Sequence, residues 1–343
     1  AGQSEAMIAA GSAYIALGDY ARSEQVHEQT LQVLMGLGNS VLTAAHLGNM
    51  ADLLCLRGKL ELAAARAQAG LLLSREVGSR EGALQSLVML AQVALLRGSL
   101  GRAELLLTEA QKELPEPDEP RMSAWVSWHL AELRRAQGRP EDAERLHRLA
   151  LAKREQYKLV GFSAESQVAL AELALASAQP EKQERAELLA RQAAQRFSAA
   201  RNEDGAAWAQ ALLSEALARK GRAAEAQASF LPALARLGTS QNLLVRLGGL
   251  VPLARAAAQL AVPDRELRLL CGQLRELITL SADSAMLASR VELSVLLFRL
   301  EQKVGGKSVT LRELCPLARC AQESGLVRVA DLAVPVCGDS GSH

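Results

Sequence analysis

Apolar and small residues return along this chain at fixed distances from one short turn. It is written Ala16-Leu17-Gly18-Asp19-Tyr20, Leu56-Arg57-Gly58-Lys59-Leu60, Leu96-Arg97-Gly98-Ser99-Leu100 and Ala136-Gln137-Gly138-Arg139-Pro140, with the glycines 40 residues apart each time. A further 40 residues lead to Ala178-Gln179-Pro180, and the glycine returns at Gly221 after a three-residue insertion. Helical periodicity flanks every turn, and a glycine just past a helix end takes the left-handed backbone that reverses the chain. Each unit is therefore a predicted helical hairpin. Seven residues before the turn stand Gly11, Ala51, Ala91, Ala131, Ala171 and Ser214. Five after it stand Ser23, Ala63, Ala103, Ala143 and Ala226, joined by Ala186 if the insertion lies in the fifth turn. Small side chains at those two places predict where paired helices cross most closely.

A small residue, a Gly turn, Tyr or Leu two later and Ala five later resemble the tetratricopeptide pattern, most fully at Gly11-Ser12-Ala13-Tyr14 with Leu17-Gly18-Asp19-Tyr20. The resemblance covers residues 5–237. The family's usual repeat is about 34 residues, so the longer spacing is similar to the long-helix arrays of kinesin light chains and of bacterial signalling proteins. The first helices lack the family's large aromatic, carrying Met7, Leu47, Leu87, Ser127, Gln167 and Gln210 instead. The resemblance implies an all-α, right-handed α-α superhelix, a tetratricopeptide solenoid of about eight hairpins: six in residues 1–237, then degenerate hairpins forming a cap in 238–333. In that last region 250–260, 265–280, 285–303 and 311–324 read as amphipathic helices, while the 40-residue register fades. A disordered tail is expected over 334–343, and the acidic, proline-punctuated segment 115–120 reads as a bend.

Composition narrows the function. The chain is 49% hydrophobic and only 3% aromatic, which favours closely packed helices. A net charge of +1 supplies no concentrated basic surface, so nucleic acid is not an expected partner. The apolar stretch 243–262 carries Arg246 and Arg255, and no membrane span is expected. Five scattered cysteines, Cys55, Cys271, Cys315, Cys320 and Cys337, read as reduced thiols of a cytoplasmic protein, in the core or free. The start at Ala1, without an initiator Met or a basic-then-apolar leader, reads as a processed chain or as the C-terminal piece of something longer.

No catalytic constellation emerges. Gly338-Asp339-Ser340-Gly341 matches the surroundings of a trypsin-type serine but sits in the tail. Gly305-Gly306-Lys307-Ser308 lacks the earlier glycine and the preceding strand of a phosphate-binding loop. Cys315 and Cys320 would point about 140° apart on a helix, which is unsuited to a metal. His27 and His147 share a packing position in second helices, and His46 and His129 have no nucleophile spaced to join them. No cofactor is expected, and the chain reads as a non-enzyme.

The resemblance implies that first helices line a concave face, each repeat presenting one inner residue. Six before each turn stand Ser12, Asp52, Gln92, Glu132, Glu172 and Glu215, a polar ladder among Ala and Leu. Polar groups in such a row would be costly if buried unpaired, so they are expected to face water or a ligand. Beside them lie Trp125, Trp128 and Trp208, the chain's three tryptophans, with Arg135 and Arg219. This mixed-charge groove with an aromatic floor suits a protein or peptide partner, such as a basic or amphipathic helix. The reading is a protein-interaction scaffold. Its rival is an effector-sensing arm of a larger bacterial signalling protein, a serine/threonine kinase or ATP-dependent transcription regulator.

Overall fold

The computed structural model describes residues 2–114, 119–177, 179–305 and 311–337. Within them the chain forms seventeen α-helices and no strand. The hairpins are α1 (Gly2–Ala16) with α2 (Tyr20–Gly36), α3 (Ser40–Leu56) with α4 (Leu60–Glu76), α5 (Arg80–Leu96) with α6 (Leu100–Lys112), and α7 (Pro120–Ala136) with α8 (Pro140–Gln156). There follow α9 (Val160–Ala176) with α10 (Pro180–Ala199), α11 (Glu203–Arg219) with α12 (Ala223–Thr239), then α13 (Leu243–Gln259), α14 (Asp264–Asp283), α15 (Leu287–Val304), α16 (Leu311–Glu323) and α17 (Val327–Cys337). This is a tetratricopeptide-type helical solenoid.

Its structural period is half of the repeat seen in the sequence. Left-handed backbone occurs at Gly18, Gly38, Gly58, Gly78 and Gly98, 20 residues apart, because a 17-residue helix and a three-residue turn make each half-unit. Lys158 and Arg201 take the same conformation between hairpins without a glycine. The spacing resumes at Ala285, Gly305 and Gly325, so the half-repeat continues where the longer register fades. Its return is hidden in the sequence by the 20-residue α14 and by an alanine in place of a glycine.

The small residues lie at the crossings. Ala51, Ala91, Ala131, Ala171 and Ser214 are fully buried, as are Ser23, Ala63, Ala103, Ala143, Ala186 and Ala226. The two rows touch: Ser23 Oγ donates to the Gly11 carbonyl and Ser214 Oγ to the Ala226 carbonyl, both at 2.9 Å. Ala186 is the packed residue because the insertion extends the start of α10, whose 20 residues begin at Pro180. Along the second helices Glu24, Glu104, Glu144 and Glu187 each bind a basic residue of the following unit: Arg57 and Lys59, Arg134, Lys182, and Lys220 with Arg222. Such partly exposed pairs each contribute little, and mainly fix the stacking angle.

In the last third the pairing changes. The segment 260–263 splays α13 from α14, so α13 rests chiefly on α11, while α14 pairs with α15 and α16 with α17. The array then closes on itself. Leu243 covers the Gly58 turn and Leu326 the Gly98 turn, Asn242 Nδ2 donates to Tyr20 Oη at 3.0 Å, and Ser284 Oγ donates to the Gly58 carbonyl at 2.9 Å. These contacts join residues more than 220 positions apart in three cases, so one superhelical turn meets the next.

Two sequence expectations need correction here. The thiols are not all reduced: Cys315 and Cys337 form a disulfide across the α16–α17 hairpin, with Cα atoms 5.6 Å apart. Of the others, Cys55 and Cys271 are buried and Cys320 is exposed. The helical region also runs past residue 333, since α17 reaches Cys337 and packs its Ala330 and Ala333 against α15 and α16. The Gly338-Asp339-Ser340-Gly341 string, the segment 115–118 and Gly306-Lys307-Ser308 lie outside the described residues.

Candidate functional site

The inner ends of α5, α7, α9 and α11 stand side by side, and a side-chain cap holds the first turn of three of them. Ser79 accepts from the Gly82 amide, Glu119 from Met122 and Asn202 from Gly205; Asn242 does the same for α13. With the helices so fixed, Gln92, Trp128, Glu132, Arg135, Glu172, Trp208 and Glu215 come together on the wall of one cavity of about 290 Å3. The opposite wall belongs to the chain itself. Leu247, Gly248, Val251 and Arg255 of α13, Ser289 and Glu292 of α15, and Leu326 line that side. At units three to six the ladder thus meets the C-terminal helices rather than an open groove.

Three of the predicted residues lie elsewhere. Trp125 packs into the core around α5 and α7 and stands edge-on to His129, with ring centres 5.4 Å apart. Arg219 sits behind the wall, paired with Glu215 and donating to the Leu175 carbonyl at 2.5 Å. Asp52 is exposed on α3, away from the cavity. The ladder therefore changes character along the array, from exposed Ser12 and Asp52 through half-buried Gln92, Glu132 and Glu172 to fully buried Glu215.

The cavity's charges form a shared network. Arg135 donates to Glu132 Oε2 from Nε at 3.0 Å and Nη2 at 2.5 Å, and His147 Nε2 lies 3.1 Å from Oε1. Burial acts to raise the Glu132 pKa, but the Arg135 charge and the His147 hydrogen bond outweigh it and hold the carboxyl well below its usual range. Arg135 is in turn raised, first by Glu132, with Glu172 and Glu292 also in its field. Arg255 pairs with Glu292 at 2.5 Å and reaches within 3.9 Å of Glu215. Burial would lower the Arg255 pKa, yet Glu292, Glu215 and Glu172 raise it. Glu215 itself is pushed up by burial despite Arg255 and Arg219. Trp208 Nε1 donates to Glu172 at 3.2 Å, and its indole lies flat enough on α13 that only a glycine fits at 248. His129, pushed down to about 4 by burial, donates from one nitrogen to the Trp125 carbonyl and meets the Gln92 amide at 2.5 Å with the other.

Two polar atoms at this wall have no hydrogen-bond partner, Trp128 Nε1 and Glu215 Oε2. Sequence reasoning found the first-helix half of the cavity and missed Arg255, Glu292 and Gly248. The available signal was Arg255 itself, one of two arginines in an otherwise largely apolar helix. Half-buried Glu165 is raised by burial to about 7, with the nearby Asp52 carboxylate adding to the rise. Among the described residues no group of three His, Cys, Asp or Glu side chains is placed to hold a metal, and no helix is long and apolar enough to cross a membrane.

No protein-family model and no curated protein matches the chain. Among solved structures it is similar to BtubC (BKLC) from P. vanneervenii, with 19% identity over 73% of this chain and 94% of that one, at a TM-score of 0.47. It is also similar to the P58(IPK) TPR domain, with 14% identity over 97% of this chain and 99% of that one, at 0.27. A circular tandem repeat protein with a novel repeat topology aligns at 16% identity over 97% and 90%, at 0.23.

Proposed function

We propose that this helical-repeat scaffold is an effector-binding regulatory arm. It takes a small molecule between its inner first helices and its own C-terminal helices, and signals to a fused or bound protein through the closure of the array. The cavity's size and lining carry this reading. Its volume of about 290 Å3 matches the lower end of small-molecule sites. Its lining, apolar leucines and two indoles with a few converging charges, is of the kind that orients small ligands.

A peptide or domain seated in the concave groove is the second reading, supported by the exposed upper rungs Ser12 and Asp52. At units three to six it requires α13 and α15 to swing out. Catalysis has no support from the arrangement of titratable groups, and the reading is of a binding protein.

The test is a thermal-shift screen of the whole chain against a panel of amino-acid amides, amines, sugars and carboxylates, beside the variant Ser289→Phe. Phenylalanine at this half-buried wall position intrudes on the cavity without removing any of its charged side chains. At least one compound should raise Tm in the wild type and not in the variant. If none does, and a helical peptide binds with deprotection of α13 in hydrogen exchange, the open-groove reading replaces this one.

A further inference from the structure

The last hairpin is held differently from the others. Its core consists of Leu314, Ala318 and Ala321 of α16, Leu326 of the turn, and Ala330 and Ala333 of α17, set against Val291 and Val295 of α15. What α17 contributes to this core is two alanine methyls, and the helix runs for 11 residues with Pro335 inside it. A helix that short is marginal in water unless packing supports it. The Cys315–Cys337 disulfide supplies the missing support, joining residues 22 apart in sequence. Closing a loop of that length disfavours the opened hairpin by roughly two orders of magnitude through lost chain entropy. Among the described residues no other pair of helices is joined in this way.

The tied hairpin carries one of the contacts that close the array. Gly325 takes the left-handed conformation and reverses the chain, and Leu326 follows it at the midpoint between the two cysteines. Leu326 is buried and reaches out of its hairpin to the α5–α6 turn, where a Cβ on Gly98 would lie 2.9 Å from its Cδ1. Leu100, just past that turn, packs back against the hairpin's core. The position of Leu326 thus depends on the hairpin, and the hairpin depends on the bond. Cys315 and Cys337 are both half-buried, unlike the sealed Cys55 and Cys271, so the bond lies near enough to the surface to meet a small thiol.

We propose that the Cys315–Cys337 disulfide is a redox switch on the closure of the array. A dithiol reductant opens the bond, the α16–α17 hairpin loosens, and Leu326 is released from the Gly98 turn. In the first step a thiolate of the reductant attacks one sulfur and forms a mixed disulfide, while the other cysteine leaves as a thiolate and takes up a proton. The reductant's second thiol then closes its own disulfide and frees the remaining cysteine, so that two electrons and two protons pass from the dithiol to the cystine. An oxidised dithiol reverses both steps, because the folded hairpin returns the two Cα atoms to 5.6 Å, within bonding range. This control acts on the seam whatever the cavity holds.

Hydrogen exchange of the full chain, oxidised and then treated with dithiothreitol, tests the switch, with alkylation and mass measurement reporting the state of the thiols. The experiment is run in a Cys320→Ser background, so that this exposed thiol cannot exchange with the bond. Reduction should speed exchange at least tenfold in residues 311–337 and several-fold in the turn 96–100. It should leave α10, which packs on α9 and α11, unchanged, and oxidised dithiothreitol should restore the slow exchange. Cys315→Ser with Cys337→Ser should exchange like the reduced chain whether or not dithiothreitol is present. Faster exchange confined to 311–337 would make the bond a local staple and overturn the proposal. Unchanged exchange in fully reduced chain overturns it as well, and so does a bond that dithiothreitol leaves intact in the folded protein.

Discussion

Glu165 is raised to about 7, chiefly by burial, with Arg154 at 3.7 Å only partly offsetting it. Its unfolded value lies near 4. The folded chain therefore binds a proton that the unfolded chain does not, and the stability it contributes is present at acid pH and lost as pH rises through about 7. His27 and His129, both lowered to about 4, act in the opposite direction. Their contribution is present above the unfolded value of about 6.5 and lost as pH falls toward 4. Glu165→Gln should raise Tm at pH 8 and lose that advantage at pH 5; equal effects at both values would contradict the assignment. The ladder shows what the sequence reveals of single residues. Asp52 and Glu215 occupy the same repeat position among similar neighbours, yet one is exposed and the other sealed. The difference is made by α13, some 30 residues beyond Glu215 and nearly 200 beyond Asp52, and no local pattern encodes it.

At the level of helices and turns, most of the fold was legible, because one chemical requirement repeats. Small residues mark each crossing and glycine marks each reversal, whatever lies around them. The intervening turns at Gly38 and Gly78 carried the same signal at half the period and were overlooked in favour of the longer spacing. Turn glycines nonetheless differ in what they do. Gly78 has a left-handed backbone with open space around it, whereas a Cβ on Gly58 would come within 2.5 Å of Leu243. Gly78→Ala should cost only the left-handed penalty of about 1–2 kcal/mol. Gly58→Ala should cost on the order of 1 kcal/mol more, because Leu243 must move within a packed site. Urea denaturation of both variants measures the difference. Equal losses would mean that Leu243 does not bear on the turn in solution.

Closure of the whole array is the property that local pattern conveys least. Each hairpin is rotated slightly on its neighbour, and the sum of those rotations decides whether the seventh meets the second. Small differences in side-chain size at every interface enter that sum, so repeat spacing alone gives the number of units and not their curvature. The accessible surface of 15,969 Å2 exceeds the roughly 13,500 Å2 of a compact monomer of this mass, so the solenoid is wound but not spherical. Scattering in solution should give a radius of gyration slightly above about 20 Å, the value for a compact chain of this length. The seam rests on few side chains: Leu243 over Gly58, Leu326 over Gly98, and the Asn242–Tyr20 and Ser284–Gly58 hydrogen bonds. Removing two of them with Leu243→Ala and Leu326→Ala should increase the radius of gyration while helicity by circular dichroism is retained. A ligand lodged between the two faces should oppose that opening, since it binds the closed state and shifts the population toward it. In the doubly substituted chain a cavity ligand should return the radius toward the wild-type value. A ligand that binds the chain and leaves the opened radius unchanged would separate binding from closure, and with it the proposed route from effector to partner.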